Sequence, residues 1–382
     1  MNANTLPRLL LRNAAENPAA PAFRLKHRGI WQTLTWSDMG ALVGDFMLGL
    51  VANGIKRGAR VAVLGDNRPR LYAALLAAQG LGGAGVPIDP DAEPAEIAPL
   101  LRDAGVSAIV VQDQEQFGKL LAAWETLPEP LLIVCETLTG EQQAGVLAFD
   151  AVAAAGRRHR EGHPCAVQEA IGAGRSEDAA LLLSGVAHVS HRRLLAEASA
   201  IAAAENVRPG DNAFCYLPMA TIGDAVYSLA LGLMVGFTCN CPEAPHTVLR
   251  DLREIGPDML LAPPPLWSHL ARSIERRAQA ATSFKRRVLG RCRKVSMEAE
   301  RRREAGANLP VALRIADWLA DVAVNRPIRD QIGLSRLRWV HVGAGKLDPA
   351  LLREFRALGV DLRRDESEWG DVAVQPEETA HA

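Results

Sequence analysis

The 382-residue sequence is poor in charge imbalance, in cysteine motifs and in long apolar runs, and each shortage removes a class of function. Lys and Arg number 43 against 44 Asp and Glu, a formal net charge of -1, so no whole-chain field draws the protein to nucleic acid or to a membrane. The six cysteines, Cys135, Cys165, Cys215, Cys239, Cys241 and Cys292, are scattered. Their closest pair is spaced C-x-C rather than the C-x-x-C of zinc and thioredoxin-type sites, so reduced structural thiols are expected. The opening residues, MNANTLPRLLLRN, hold no apolar run of signal-peptide length, because Arg8 and Arg12 interrupt them. The most apolar stretches, 71–88 and 226–241, are broken by Gln79, Ser228, Asn240 and glycines, which argues against a membrane span. No internal repeat is evident, and the cytoplasm is the expected compartment.

What the sequence does have is the composition of a folded protein, 48% hydrophobic and 23% charged, and a regular alternation of short apolar runs with amphipathic stretches. Such alternation is the signature of parallel sheets covered by helices, so the fold class is α/β. Strands are predicted at 60–65, 108–111, 131–134, 179–183, 213–216, 237–240, 259–262 and 338–342. The stretch 37–53 reads as a helix capped by Ser37, with Leu42, Val43, Phe46, Met47, Leu50 and Val51 on one face and Gly54 ending it. Residues 136–177 are glycine-rich and weakly periodic, which predicts a lobe boundary there. The expected organisation is a first α/β lobe with linker at 1–177, a second at 178–364 and an acidic tail at 365–382.

Several phrases then occur in a recognisable order. They are TLPRLLLRNAAENPAAPAFR, WQTLTWSDMGALV, GIKRGARVAVLGDNRPRLYAALLAAQGLGGAGVPIDP, SHRRLLAEA, RPGDNAFCYLPMA, LREIGPDMLLAPPPLW and IRDQIGLSRLRWVHVGAGKLDPALLREFRALGV. Over nearly all of 5–362 this order resembles the long-chain acyl-CoA synthetase branch of the adenylate-forming, AMP-binding superfamily. The resemblance implies that superfamily's two-lobed N-terminal domain. It also implies its chemistry, in which a carboxylic acid is activated with ATP and Mg²⁺ and the acyl group passes to coenzyme A.

The motifs that carry that chemistry are altered. Where the family has Ser-Gly-Thr-Thr-Gly-x-Pro-Lys-Gly before Ser-His-Arg, this chain runs Ser184, Gly185, Val186, Ala187, His188, Val189, Ser190, His191, Arg192. About six residues are gone, with the lysine and most of the phosphate-cradling loop. His188 is either a substitute cation or a polar residue in a shortened turn. The family histidine after Leu-Pro-Leu-Ala is replaced by Thr221, which also suits a helix cap. The adenine-binding phrase survives as Val342, Gly343, Ala344, Gly345, Lys346, Leu347, whose glycines would serve a strand-to-helix turn equally well. Glu368 matches the metal glutamate of Tyr-Gly-x-Thr-Glu, although Arg364 and Asp365 stand where Tyr and Gly belong. The sequence stops at Ala382, short of the family's ribose-binding aspartate, its hinge and its small C-terminal domain with the catalytic lysine, so that domain is expected to be absent.

The cofactor-site remnants implied by the resemblance are therefore Ser184, Gly185, Gly343, Ala344, Gly345 and Glu368, with no catalytic residue, no metal ligand and no bound cofactor expected. The acyl-facing candidates are Leu217, Met219, Thr221 and Trp267, in segments that remain apolar or aromatic. A basic segment from Arg272 to Arg303, with Phe284, Val288 and Leu289 interleaved, reads as a solvated face giving at most peripheral membrane contact. The expected function is a non-catalytic binding or scaffolding homologue, its partner an acyl ligand or another protein and not a nucleic acid. The alternatives are a divergent long-chain fatty acid–CoA ligase, or a subunit completed by a second chain.

Overall fold

The computed structural model describes residues 3–128, 130–138, 145–184, 187–343 and 345–364. Among the described residues the chain folds into two compact units, one holding residues up to Gly210 together with Cys215–Pro245, the other Asp211–Phe214 with the chain from His246 to Arg364. The units do not divide at the expected 177/178. Strand Ala179–Leu183 pairs in parallel with Gly85–Ile88, so the segment assigned to the start of a second lobe closes the sheet of the first unit. The tail 365–382 lies outside the described residues.

The first unit is built on strands in the spatial order Val146–Ala148, Leu132–Cys135, Val106–Val111, Arg60–Leu64, Gly85–Ile88, Ala179–Leu183 and Ala187–Ser190. All neighbours are parallel except the last pair, an antiparallel hairpin. These strands read as continuous apolar runs because both faces are covered, as parallel sheets require. On one face Leu64, Ile88, Ile97, Leu101, Ile109 and Phe117 form a common core. A second group in the same unit pairs Pro21–His27 in parallel with Thr238–Cys241 and antiparallel with Ile30–Thr35.

Helix Trp36–Ala52 begins one residue before the predicted start, and its cap is Thr35 rather than Ser37. Thr35 accepts from the Asp38 N–H, and the Asp38 carboxylate accepts in return from the Thr35 N–H and hydroxyl, a closed capping box. Gly54, at φ +86°, ends the helix as expected. The weakly periodic stretch contains helices Phe149–Gly162 and Ala166–Gly172. One of its glycines serves helix packing rather than a linker. Gly156 lies against the Asp45 carbonyl, and Phe46 stacks on Phe149 with ring centroids 4.2 Å apart.

The second unit carries four parallel strands, Asn212–Phe214, Met259–Ala262, Trp339–Val342 and Leu362–Arg364, in that order. Between the second and third run the helices Pro264–Ala280, Ser283–Glu304 and Val311–Ala320, the last continuing through a π turn at Asp321–Asn325. Among the described residues all six cysteines are free, and no helix is long and apolar enough to cross a membrane.

Candidate functional site

The position of the phosphate loop lies in the hairpin of the first unit. Leu183 pairs with Ala187, Leu182 with His188 and Leu181 with Val189, so only residues 184–186 join the two strands. Ser184 turns the chain in the left-handed region at φ +50°, while Gly185 and Val186 lie outside the described residues. His188 is exposed on the outer strand. The Ser-His-Arg phrase that follows has a structural explanation in each residue. Ser190 caps helix His191–Glu205 by accepting from the Arg193 N–H at 3.3 Å, and Arg192 pairs with Glu177 at 3.4 Å. His191 is buried, its Nδ1 accepting from the Leu6 N–H at 3.3 Å. Burial pulls its pKa down to about 4, against the opposing charge of Asp178.

Farther along the first unit, Leu217 is half-buried and Met219 is buried. Thr221 caps the helical segment beginning at Ile222, its hydroxyl accepting from the Asp224 N–H and donating to the Pro218 carbonyl. The cap delivers Asp224 into a buried polar network that sequence reading missed. Tyr72 donates its hydroxyl to the Asp224 carboxylate at 2.7 Å, and Asn67 Nδ2 donates to the same carboxylate at 3.0 Å and to the Tyr72 oxygen at 2.7 Å. Burial raises the Asp224 pKa to about 7, resisted by the hydrogen bonds from Ser228, Tyr72 and Asn67. The available signal was the Asn67-Arg68-Pro69 turn, a polar residue just ahead of the mostly apolar helix Pro69–Gly80. The run after Asp224, a π turn at Ala225–Ala230 continued by Leu231–Val235, buries every residue of its first turn.

The second unit brings three candidates together around residues 262–264. The Gly343 N–H and the Trp267 Nε1–H both donate to the Ala262 carbonyl, each at 3.0 Å. Trp267 stands edge-on to Phe355, ring centroids 5.1 Å apart, and has no exposed surface. Gly345 sits at φ +116°, where an added Cβ would come within 3.2 Å of the Pro264 ring. Ala344 and Glu368 lie outside the described residues. Ser184, Leu217, Met219 and Thr221 belong to the first unit, and Gly185 lies outside the described residues.

The basic segment forms the two helices Pro264–Ala280 and Ser283–Glu304, and its charge is divided between paired and unpaired groups. Arg293 is paired with Glu275 and Glu354, Arg302 with Glu298, and Arg303 with Glu300 and Asp317. Lys285, Arg286, Arg287 and Arg291 are exposed, with no ion pair among the described residues. Beside them an open groove of about 440 Å³ is lined by Phe284, Val288, Leu289, Val324 and Ile328. Among the described residues no cluster of His, Cys, Asp or Glu is arranged to hold a metal.

A family model described as AMP-binding enzyme matches residues 10–183 and 185–364. The long-chain-fatty-acid–CoA ligase ACSBG1 of Rattus norvegicus is 22% identical over 356 residues, covering 89% of this chain and 48% of that protein. The long-chain-fatty-acid–CoA ligase heimdall of Drosophila melanogaster is 24% identical over 349 residues, 87% of this chain and 50% of its own length. The chain thus spans about half the length of these relatives. Among solved structures, VinN with L-aspartate superposes with a TM-score of 0.63 at 18% identity, over 94% of this chain and 74% of that one. The N-terminal domain of FACL13 from Mycobacterium tuberculosis gives a TM-score of 0.61 at 16% identity, over 96% and 77%. At such identities the superpositions establish the α/β fold of an acyl-CoA synthetase N-terminal domain.

Proposed function

Because the chain belongs to the AMP-binding enzyme family, we propose that it serves as a non-adenylating member, one that binds an acyl-type carboxylic acid or a partner protein in the cytoplasm without activating the acid. The observation that carries this reading is the closure of the hairpin at Leu183 and Ala187. Three joining residues supply few backbone N–H groups to a triphosphate, and no lysine stands anywhere from Ser184 to Arg193. Arg192, in the helix that follows, is already paired with Glu177. Phosphoryl chemistry depends on positioned cationic and N–H donors, each worth about 3 kcal/mol of barrier in comparable sites. The residues at this turn do not suit the family's ATP. The acyl class of ligand is carried over from relatives named as long-chain-fatty-acid–CoA ligases, with Leu217 and Thr221 as the half-buried candidates to meet it.

A second reading, a divergent ligase, draws on Gly343 and Gly345, two positions without a side chain just after Trp339–Val342. Acid-dependent exchange of labelled pyrophosphate into ATP, run with acids from acetate to palmitate, separates the two. The expected outcome is no exchange, together with no heat on titrating ATP–Mg²⁺. Exchange above background with any acid refutes the non-adenylating reading and favours the ligase.

A further inference from the structure

Helix Val311–Ala320 and the π turn after it carry an apolar stripe that the chain leaves in water. Val311, Ile315, Trp318, Leu319 and Val322 are 47–62% exposed. Isolated exposed apolar residues are ordinary, but five large ones along one face of one helix are not. The helix is held from its other side, where Ala320 is buried, Asp317 is paired with Arg303 and Asp321 with Arg329. The stripe is therefore a presented face of a docked helix.

We propose that this stripe is a self-association surface whose occupant is the same stripe of a second copy of the chain, packed antiparallel about a two-fold axis. Spacing is the first argument. The steps Val311 to Ile315, Ile315 to Trp318 and Trp318 to Val322 are four, three and four residues, the seam of a helix pair. That sequence of steps reads the same in both directions. Under a two-fold axis Val311 faces the partner's Val322 and Ile315 faces the partner's Trp318, so each apolar residue meets an apolar residue. Area is the second argument. The five side chains expose roughly 500 Å² of apolar surface, so a symmetric pair covers roughly 1,000 Å² before the rim residues Ala312, Arg314 and Ala323 are counted. A specific interface needs about 1,200 Å² or more, within reach of stripe plus rim.

Charge decides between a second copy and a lipid bilayer. From 311 to 325 the only cation is Arg314, against Asp317 and Asp321, so the stripe's own helix lacks the lysines and arginines that attach an amphipathic helix to anionic lipid. Exposed cations with no ion pair among the described residues, such as Lys285, Arg286, Arg287 and Arg291, are grouped on the helix Ser283–Glu304 instead.

Sedimentation velocity at roughly 50 µM protein tests the proposal. The wild-type chain is expected to sediment at twice the monomer mass. Trp318→Glu and, separately, Ile315→Lys are expected to raise the dissociation constant about a hundredfold, leaving monomers with unchanged circular dichroism. An equimolar mixture of the two variants should regain the dimer, since the two-fold register sets each new glutamate against the other protomer's lysine. Should Trp318→Glu fail to fold, Val311→Arg at the first helical position takes its place. A monomeric wild type, dimers that survive both substitutions, or a mixture that stays monomeric each overturn the proposal. So does a monomeric wild type that co-sediments with phosphatidylserine-containing vesicles through Trp318, which would assign the stripe to a membrane.

Discussion

Replacing Asp224 by Asn should remove a pH dependence that the wild-type fold carries in its core. The Asp224 carboxyl has a pKa of about 7 in the folded chain against 3.8 for the free group, because burial disfavours its charge more than Tyr72, Asn67 and Ser228 restore it. Between those values the folded state holds a proton that the unfolded state has released, so this contribution is full below the unfolded value and is lost as pH rises through about 7. From about pH 5 to about pH 8 the loss spans two pH units, roughly 3 kcal/mol at about 1.4 kcal/mol per unit. His191 tilts the other way. Its folded pKa of about 4 lies below the free value of 6.5, so its contribution is lost as pH falls through that window. The raw profile of the wild type therefore hides both effects, and the informative quantity is the difference between wild type and Asp224→Asn. Urea unfolding of both proteins at the two pH values measures it. Wild type should lose about 3 kcal/mol relative to the variant on going to the higher pH. A difference that does not change with pH would refute the claim that Asp224 is protonated within the network.

Other substitutions test the packing that frames the site. Trp267→Ala should cost about 3–5 kcal/mol in urea unfolding, because the ring is fully buried on Phe355 and its departure frees the Ala262 carbonyl of one donor. A variant of wild-type stability with altered palmitate binding would instead make Trp267 a ligand wall. Gly156→Ala should destabilise by more than about 3 kcal/mol, since the new methyl would collide with the Asp45 carbonyl across the helix pair, and a small shift in midpoint would contradict that geometry. His191→Gln should flatten the acid limb of the stability curve between about pH 4 and 6.5, by up to roughly 3 kcal/mol, with the sign given above. An unchanged acid limb would mean that His191 takes up its proton in the fold as readily as in the unfolded chain.

The α/β class and the family were legible in the sequence because both depend on local order. Apolar runs such as RVAVL and AALLL record strands covered on both faces, and the phrases that resemble the family keep their polar and turn residues in sequence order. The shortened turn after Leu183 was equally legible, since a missing lysine and missing residues are properties of the string. Tertiary structure decided what depends on partners far away in the chain. It placed strand Ala179–Leu183 beside Gly85–Ile88, moving the boundary between compact units, because strand pairing is a choice among distant edges that no local pattern records. It made Gly156 a helix contact rather than a linker residue and joined Asn67, Tyr72 and Asp224, separated by up to 157 positions, into one buried network. It also left Val311, Ile315, Trp318, Leu319 and Val322 outward. Periodicity says that a helix has an apolar face, and only the folded chain says whether anything covers it.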